Sequence, residues 1–243
     1  MSKSFGGLRA VDGVELAVRP GGRRALIGPN GAGKTTLFNL IAGALPVSSG
    51  RITLFGEDVT AMAQHRRAGR GLARTYQITN LFPALTVLQN VLLAAQARSP
   101  AKFAMLRPLS RFGELETRAR EALAAVGLDD RAGVTVRHLS HGEQRQLEIA
   151  LALAGRPRVL LLDEPAAGVP RDESAELFAA IAGLSSELTV LFIEHDMNVV
   201  FRFASRIIVM VGGRMLVEGT PDEISRDASV REVYLGKKSH ALA

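Results

Sequence analysis

Residues Gly28-Pro29-Asn30-Gly31-Ala32-Gly33-Lys34-Thr35 fit the spacing G-x-x-x-x-G-K-S/T, and few short strings restrict a fold so tightly. Glycines let backbone N–H groups turn inward around an anion. A helix starting at the end of the loop aims its positive end at the same point. The string must therefore join a strand to a helix. Ala25-Leu26-Ile27 supplies a short apolar strand before it, and Leu37, Leu40 and Ile41 recur at helical spacing after it until Gly43 stops the pattern. In that frame Gly28, Pro29, Asn30, Gly31, Ala32 and Gly33 cradle phosphate oxygens. Lys34 reaches the β- and γ-phosphates, and the Thr35 hydroxyl is a Mg²⁺ ligand, with Thr36 beside it among the phosphate contacts. The plain alternative is a glycine-rich turn without a ligand. The strand before the loop and the amphipathic helix after it favour phosphate.

Composition narrows what can surround this loop. The chain has 243 residues, enough for one or two domains, with 47% hydrophobic and 22% charged residues. No stretch approaches the ~18 uninterrupted apolar residues of a spanning helix. Even the apolar run Val87–Ala97 is broken by Gln89, Asn90 and Gln96. Met1 opens into Ser2-Lys3-Ser4-Phe5 without an apolar core, so no secretory signal is expected. The absence of cysteine removes disulfides, thiolate metal sites and cysteine nucleophiles together. A net charge of +6 admits nucleic acid, anionic lipid or a phosphorylated ligand. No Trp and only 2 Tyr leave few platforms for stacking single-stranded bases.

Along the chain, Val14, Leu16 and Val18 alternate as one strand face before the turn Pro20-Gly21-Gly22, and Ile52 and Leu54 mark another short strand. From Ile78 to His138 the pattern turns helical. Leu115, Ala119, Ala122, Leu123 and Val126 share one face, opposite Glu114, Glu116, Arg118 and Arg120. Three β-type runs follow, Val159–Leu162, Thr189–Ile193 and Ile207–Val211. Gly212-Gly213 suits a hairpin turn, and Thr220-Pro221-Asp222-Glu223 has a capping-box layout. Strand–helix alternation interrupted by a helical stretch predicts an α/β core with an inserted helical subdomain.

Two further strings carry chemistry. Val159-Leu160-Leu161-Leu162-Asp163-Glu164 is a buried strand ending in two acids, and a parallel strand offers its carboxyl end to the ligand crevice. Asp163 then suits the Mg²⁺ shell and Glu164 suits polarising an attacking water. Alone, this would be a strand ending in a charged turn; the phosphate loop upstream tips the balance. Leu139-Ser140-His141-Gly142-Glu143 precedes a helix with Leu147, Ile149 and Ala150. By itself it is a capping box, Ser140 with Glu143 at N3. In a chain that already has a phosphate loop, Ser140 and Gly142 form a second anion-facing helix start, which makes sense if two chains face head to tail.

Together these strings resemble the ATP-binding subunit of an ABC transporter over essentially the whole chain. The loop 28–35, the signature Leu139–Glu143, the strand Leu160–Pro165 and the turn Ile193-Glu194-His195-Asp196 match that family in order and spacing. The resemblance implies a P-loop NTPase core with an antiparallel β subdomain, over residues 1–77 and 139–243, and a helical subdomain over 78–138. It implies ATP and Mg²⁺ as ligands. Gln77 takes the position of the glutamine that touches Mg²⁺ and the attacking water, and His195 that of the histidine that contacts the γ-phosphate. Phe5 stands where an aromatic often stacks on adenine, with a small core aromatic as the alternative. Implied partners are integral membrane permease subunits, a second ATP-binding subunit (the same chain or a paralogue) and, indirectly, a periplasmic solute-binding protein. The implied location is the cytoplasmic face of the inner membrane, and no nucleic-acid partner is implied.

Finer strings, Ala73–Phe82, Leu139–Leu153, Asp163–Val169, Ile193–Met197 and the terminal Val233-Tyr234-Leu235-Gly236, are similar to the branch serving branched-chain amino acid importers. Urea and amide importers and the lipopolysaccharide-export ATPase share much of this pattern. The chain departs from the family in three places. Most of the family's first strand is not found before Ser2, either because the start lies further upstream or because that edge strand is absent; His141 and Glu143 replace Gly and Gln in the signature; and Ala167-Gly168-Val169-Pro170 replaces S-A-L-D, removing the usual coupling aspartate. Arg66, Arg67, Arg70 and Arg74 read as a solvated basic helix face, with contact to lipid head groups or acidic loops as the alternative.

Competing readings are weaker. A non-transport ABC ATPase would carry a long coiled coil or two fused cassettes, whereas the insert here is ~60 residues without sustained heptads. A GTPase would need N-K-x-D, which the sequence lacks, and a kinase has no use for Leu139–Gly142.

Overall fold

The structure is a computed structural model that describes residues 1–75, 81–97 and 113–235. It divides into two compact units, Met1–Arg70 with Thr189–Ala243, and Gly71–Leu188.

In the first unit, β1 (Lys3–Phe5) and β2 (Leu8–Val11) form an antiparallel ribbon, and Thr53–Leu54 (β4) pairs with Glu57–Asp58 (β5) in another. The main strands are β3 (Arg23–Ile27), β8 (Thr189–Ile193), β9 (Arg206–Val211) and β10 (Arg214–Gly219). β3 lies between β8 and β9, parallel to both, and β10 closes antiparallel on β9. All five residues of β8 are buried, as befits a strand covered on both faces. Gly212 and Gly213 turn β9 into β10 with φ of 53° and 83°, the positive values that a two-residue hairpin requires. β3 feeds α1 (Lys34–Ala42), which buries Leu37, Phe38 and Leu40 and ends at Gly43 in the left-handed conformation. The remaining helices are α2 (Gln64–Gly69), α7 (Met197–Phe203), α8 (Pro221–Arg226) and α9 (Ala228–Leu235). Thr220 caps α8 in the expected box with Glu223.

The alternation at Val14, Leu16 and Val18 is real in burial, yet it belongs to an extended segment outside any strand pairing. The basic-run reading needs correction. Arg67 is 1% exposed, and it donates to the carbonyls of Leu40 (2.6 Å), Ile41 (2.8 Å), Met62 (2.9 Å) and Thr60 (3.1 Å). Two of these acceptors lie in the last turn of α1, whose carbonyls have no partner within the helix. Only Arg66 and Arg70 face solvent, and Arg70 pairs with Glu57 at 2.9 Å.

The second unit holds β6 (Leu72–Arg74) parallel to β7 (Val159–Asp163), with α3 (Val87–Ala97), α4 (Gly113–Ala125), α5 (His141–Leu153) and α6 (Arg171–Gly183). α4 buries Leu115, Ala119, Ala122 and Leu123, while Arg118 and Arg120 pair with Glu114 and Glu116 one turn back. Asn90, polar inside an apolar run, is 2% exposed because its amide is satisfied by Phe82 N–H and the carbonyls of Phe82 and Thr86. Among the described residues no helix is long and apolar enough to cross a membrane.

Candidate active site

The phosphate loop runs from the end of β3 to the first turn of α1, and two of its glycines, Gly28 and Gly33, are required sterically. Gly28 has φ of 150°, and a Cβ there would lie 2.1 Å from the Met210 carbonyl oxygen. At Gly33, φ is 95° and a Cβ would lie 2.2 Å from the Ala10 carbonyl oxygen. The loop is closed by Ala32 N–H donating to Pro29 O and braced by Gly213 N–H donating to Ala32 O, both at 3.1 Å. Asp12 ties β2 to the same hairpin: its N–H reaches Gly213 O at 2.8 Å and its carboxylate takes Arg214 at 2.7 Å. The Arg214 hydrogen bond holds the Asp12 carboxyl below its ordinary range.

Lys34 is 7% exposed and donates to Gly28 O at 2.7 Å and Pro29 O at 3.1 Å. Its ammonium thus lies over the loop, while Thr35 is exposed and Thr36 half-buried on the first turn. On α9, the last helix among the described residues, Tyr234 is 36% exposed as a whole, yet desolvation of its hydroxyl pushes it up to about 12, with a hydrogen bond to the Gly28 backbone at the start of the loop acting in the opposite sense. β3 and β8 run parallel with Leu26 opposite Ile193. The strand that leads into the loop and the strand that leads to His195 therefore finish side by side. His195 is exposed, its N–H donating to Glu194 Oε2 at 3.1 Å, and Asp196 caps α7 through Asn198 N–H. Phe5 is 48% exposed with Lys3 Nζ 5.1 Å from its ring centre, so the core-aromatic reading fails.

In the second unit Asp163 is buried at the end of β7. Its Oδ2 accepts from Arg74 Nη2 at 2.7 Å, in an ion pair whose side chains are 2% and 6% exposed. Arg74 stands opposite Leu161 in the parallel register, and Leu161 shares a strand face with Asp163. This corrects the surface reading of Arg74. The other oxygen, Oδ1, is buried without a hydrogen-bond partner among the described residues. Such an orphaned hard oxygen fits a Mg²⁺ ion, which needs only one or two protein oxygens when phosphates supply the rest. Among the described residues no three His, Cys, Asp or Glu cluster as an all-protein metal cage would require.

Removing one partner of a buried ion pair costs about 3 kcal/mol or more. Arg74→Met should lower the nucleotide-free unfolding free energy by that amount, read from a denaturant melt; an unchanged midpoint would show that the pair contributes nothing.

Glu164 follows with φ of 50°, left-handed for a residue with a Cβ, a conformation costing roughly 1–2 kcal/mol. The strained turn leaves its side chain half-buried just past the strand end. Ser140 and Gly142 sit at the start of α5. Ser140 Oγ accepts from Glu143 N–H at 3.2 Å, and Ser140 N–H donates to Glu143 Oε2 at 2.8 Å, completing the capping box. Ser140 Oγ–H and Gly142 N–H both donate to Glu173 Oε2, at 2.8 and 2.7 Å. Gln77 lies outside the described residues.

Sequence reasoning passed over Arg74 as a partner of Asp163, and Glu173 altogether. An arginine closing a buried strand (Leu72-Ala73-Arg74) was a usable signal for the first. Nothing local marks the second, whose partners are 33 and 31 residues away.

Comparison with known proteins is consistent across sequence and structure. The family model for ABC transporters matches residues 11–167, and that for branched-chain amino acid ATP-binding cassette transporters matches residues 214–240. The chain is 41% identical to the high-affinity branched-chain amino acid transport ATP-binding protein BraF of Pseudomonas aeruginosa, over 98% of this chain and 96% of that protein. It is 38% identical to LivG of Escherichia coli K12, a transport ATP-binding protein of the same description, over 96% and 94%. Among solved structures, the ADP conformation of an ATP-binding cassette of an ABC transporter superposes with a TM-score of 0.86 at 30% identity, covering 97% of this chain and 96% of that one.

Proposed function

The chain belongs to the ABC transporter family and is one of its ATP-hydrolysing cassettes, and from that premise we propose that it works as a head-to-tail pair driving import of branched-chain amino acids. The observation that carries the pair is the presence of two anion-receiving helix starts, α1 and α5, on a chain with one phosphate loop. One chain's loop and its partner's Ser140–Gly142 then hold a single ATP between them. The solute reading is supported by the match at residues 214–240 and by the BraF and LivG relatives.

In the proposed cycle the loop N–H groups and Lys34 bind the β- and γ-phosphates. Thr35 and Asp163 would hold Mg²⁺, with Gln77 as a further ligand. Bound Mg²⁺ neutralises charge developing on the phosphate oxygens. Glu164 accepts a proton from the attacking water, and His195 orients the γ-phosphate. Phe5, exposed on β1, would cover the adenine. The helical subdomain, residues 78–138, receives the membrane subunit, so that closure of the pair becomes a transmembrane switch. Nucleotide drives that switch only by the margin with which it favours the closed state. The partners are permease subunits, a second cassette and, through them, a periplasmic solute-binding protein. The pair sits on the cytoplasmic face of the inner membrane.

Two measurements test this. Ser140→Arg fills the trans site with a bulky cation: ATP binding to the single chain should persist, while ATP-dependent pairing on size exclusion and ATP turnover both disappear. Full activity in that variant would exclude a trans site. Reconstituted with its permease subunits, the cassette should hydrolyse ATP faster when leucine-loaded binding protein is added. Stimulation by a urea-loaded protein instead would reassign the solute.

A further inference from the structure

The start of α5 already holds an anion, and that anion belongs to the chain itself. Within the capping box, Glu143 uses the Ser140 backbone N–H and the acceptor side of the Ser140 hydroxyl. The donors left over include the Ser140 Oγ–H and the Gly142 N–H. Both converge on one oxygen of Glu173, at 2.8 and 2.7 Å. The glutamate lies so close that a Cβ on Gly142 would fall 2.3 Å from Glu173 Oε2 and 2.9 Å from Glu173 Cβ. Glycine at 142 therefore serves this approach as well as any approach of a phosphate. Glu173 stands in the first turn of α6, a helix of 13 residues, so its backbone position is fixed by an element rather than a loop.

A carboxylate oxygen accepting from a hydroxyl and a backbone N–H at a helix start is the chemical equivalent of a phosphate oxygen in the same place. We infer that Glu173 is an internal competitor for the partner's γ-phosphate, and that it makes pair closure selective for ATP over ADP. This inference rests on the head-to-tail reading above. With ATP, closure exchanges one anion for another: the γ-phosphate oxygens take the two donors as the carboxylate withdraws, and neither donor is left bare. ADP has no γ-phosphate to offer. Closure around ADP then either strips the carboxylate without replacement or leaves its charge facing the nucleotide's remaining phosphates, and both are unfavourable. Glu173 touches nucleotide in neither case, and acts by setting how much binding energy the γ-phosphate must supply before the two chains meet.

The experiment is done in the full chain carrying Glu164→Gln, which holds closed pairs. The dimer fraction is followed by sedimentation against ATP and against ADP, with Glu173→Ala and Glu173→Gln added. Both additions should lower the ATP concentration for half-maximal pairing by about tenfold, the equivalent of one charge-assisted hydrogen bond no longer displaced, and pairs should become detectable with ADP. Affinity of the single chain for a fluorescent ATP analogue should not change. Glu173→Gln keeps the shape of the side chain and controls for damage to α6. An unchanged or raised half-maximal ATP concentration in both variants, with no pairing in ADP, overturns the inference. If the Glu164→Gln chain fails to pair with ATP, or pairs equally well with Ser140→Arg, the head-to-tail reading fails first and the role of Glu173 falls with it.

Discussion

Glu164→Gln should bind ATP, turn it over about 10³-fold more slowly, and collect as ATP-loaded pairs. The amide can still accept a hydrogen bond from the attacking water, but it cannot take the proton, so the chemical step loses its base while binding is untouched. Geometry makes this substitution clean. Glu164 stands at φ of 50° immediately after the buried strand β7, with its carbonyl accepting Ala167 N–H at 3.0 Å. An isosteric side chain leaves that turn in place. Phosphate release in the steady state and sedimentation with ATP are the two readings. A monomer with near-normal turnover would remove Glu164 from the role of base.

Lys34→Ala should cost on the order of 10³-fold in ATP affinity, because two charge-assisted contacts to phosphate at roughly 1.5–3 kcal/mol each disappear together. The nucleotide-free loop loses something too. Lys34 Nζ now donates to Gly28 O and Pro29 O, and alanine removes that donor from both carbonyls. Titration calorimetry with ATP reads the first effect and a thermal melt the second. Unchanged affinity would sink the assignment of residues 28–35 as a phosphate loop, whatever the melt shows.

What the sequence made legible was local. Gly28–Thr35, the Ser140 and Thr220 capping boxes, the Gly212-Gly213 hairpin and the apolar face of α4 each follow from residue types a few positions apart. Their physics operates over one turn or one loop. The arginines show where that reasoning ends. Spacing alone placed Arg67 on a wet helix face, yet its guanidinium lies against the end of α1, which is distant in sequence. Arg74 was grouped with the same helix, but α2 ends at Gly69 and Arg74 belongs to a strand whose partner is β7. Burial of a charge is decided by which backbone carbonyls or carboxylates the tertiary fold brings to it, and periodicity carries no information on that. Glu173 is the same case at the start of α5. Its sequence context is an ordinary acidic first turn, and only the packing of α6 on α5 turns it into an anion over Ser140.

Arg67 also has a mechanical meaning. The helix that starts at Lys34 is nine residues long, a rod of about 14 Å at the usual rise. One end carries Lys34, which donates to two carbonyls of the loop before it. The other end is tied by Arg67, which joins the carbonyls of Leu40 and Ile41 to those of Thr60 and Met62, and so to α2 with its exposed Arg66. A rod pinned this way cannot fray at its far end. A tilt of α1 would then reach residues 60–62 through Arg67.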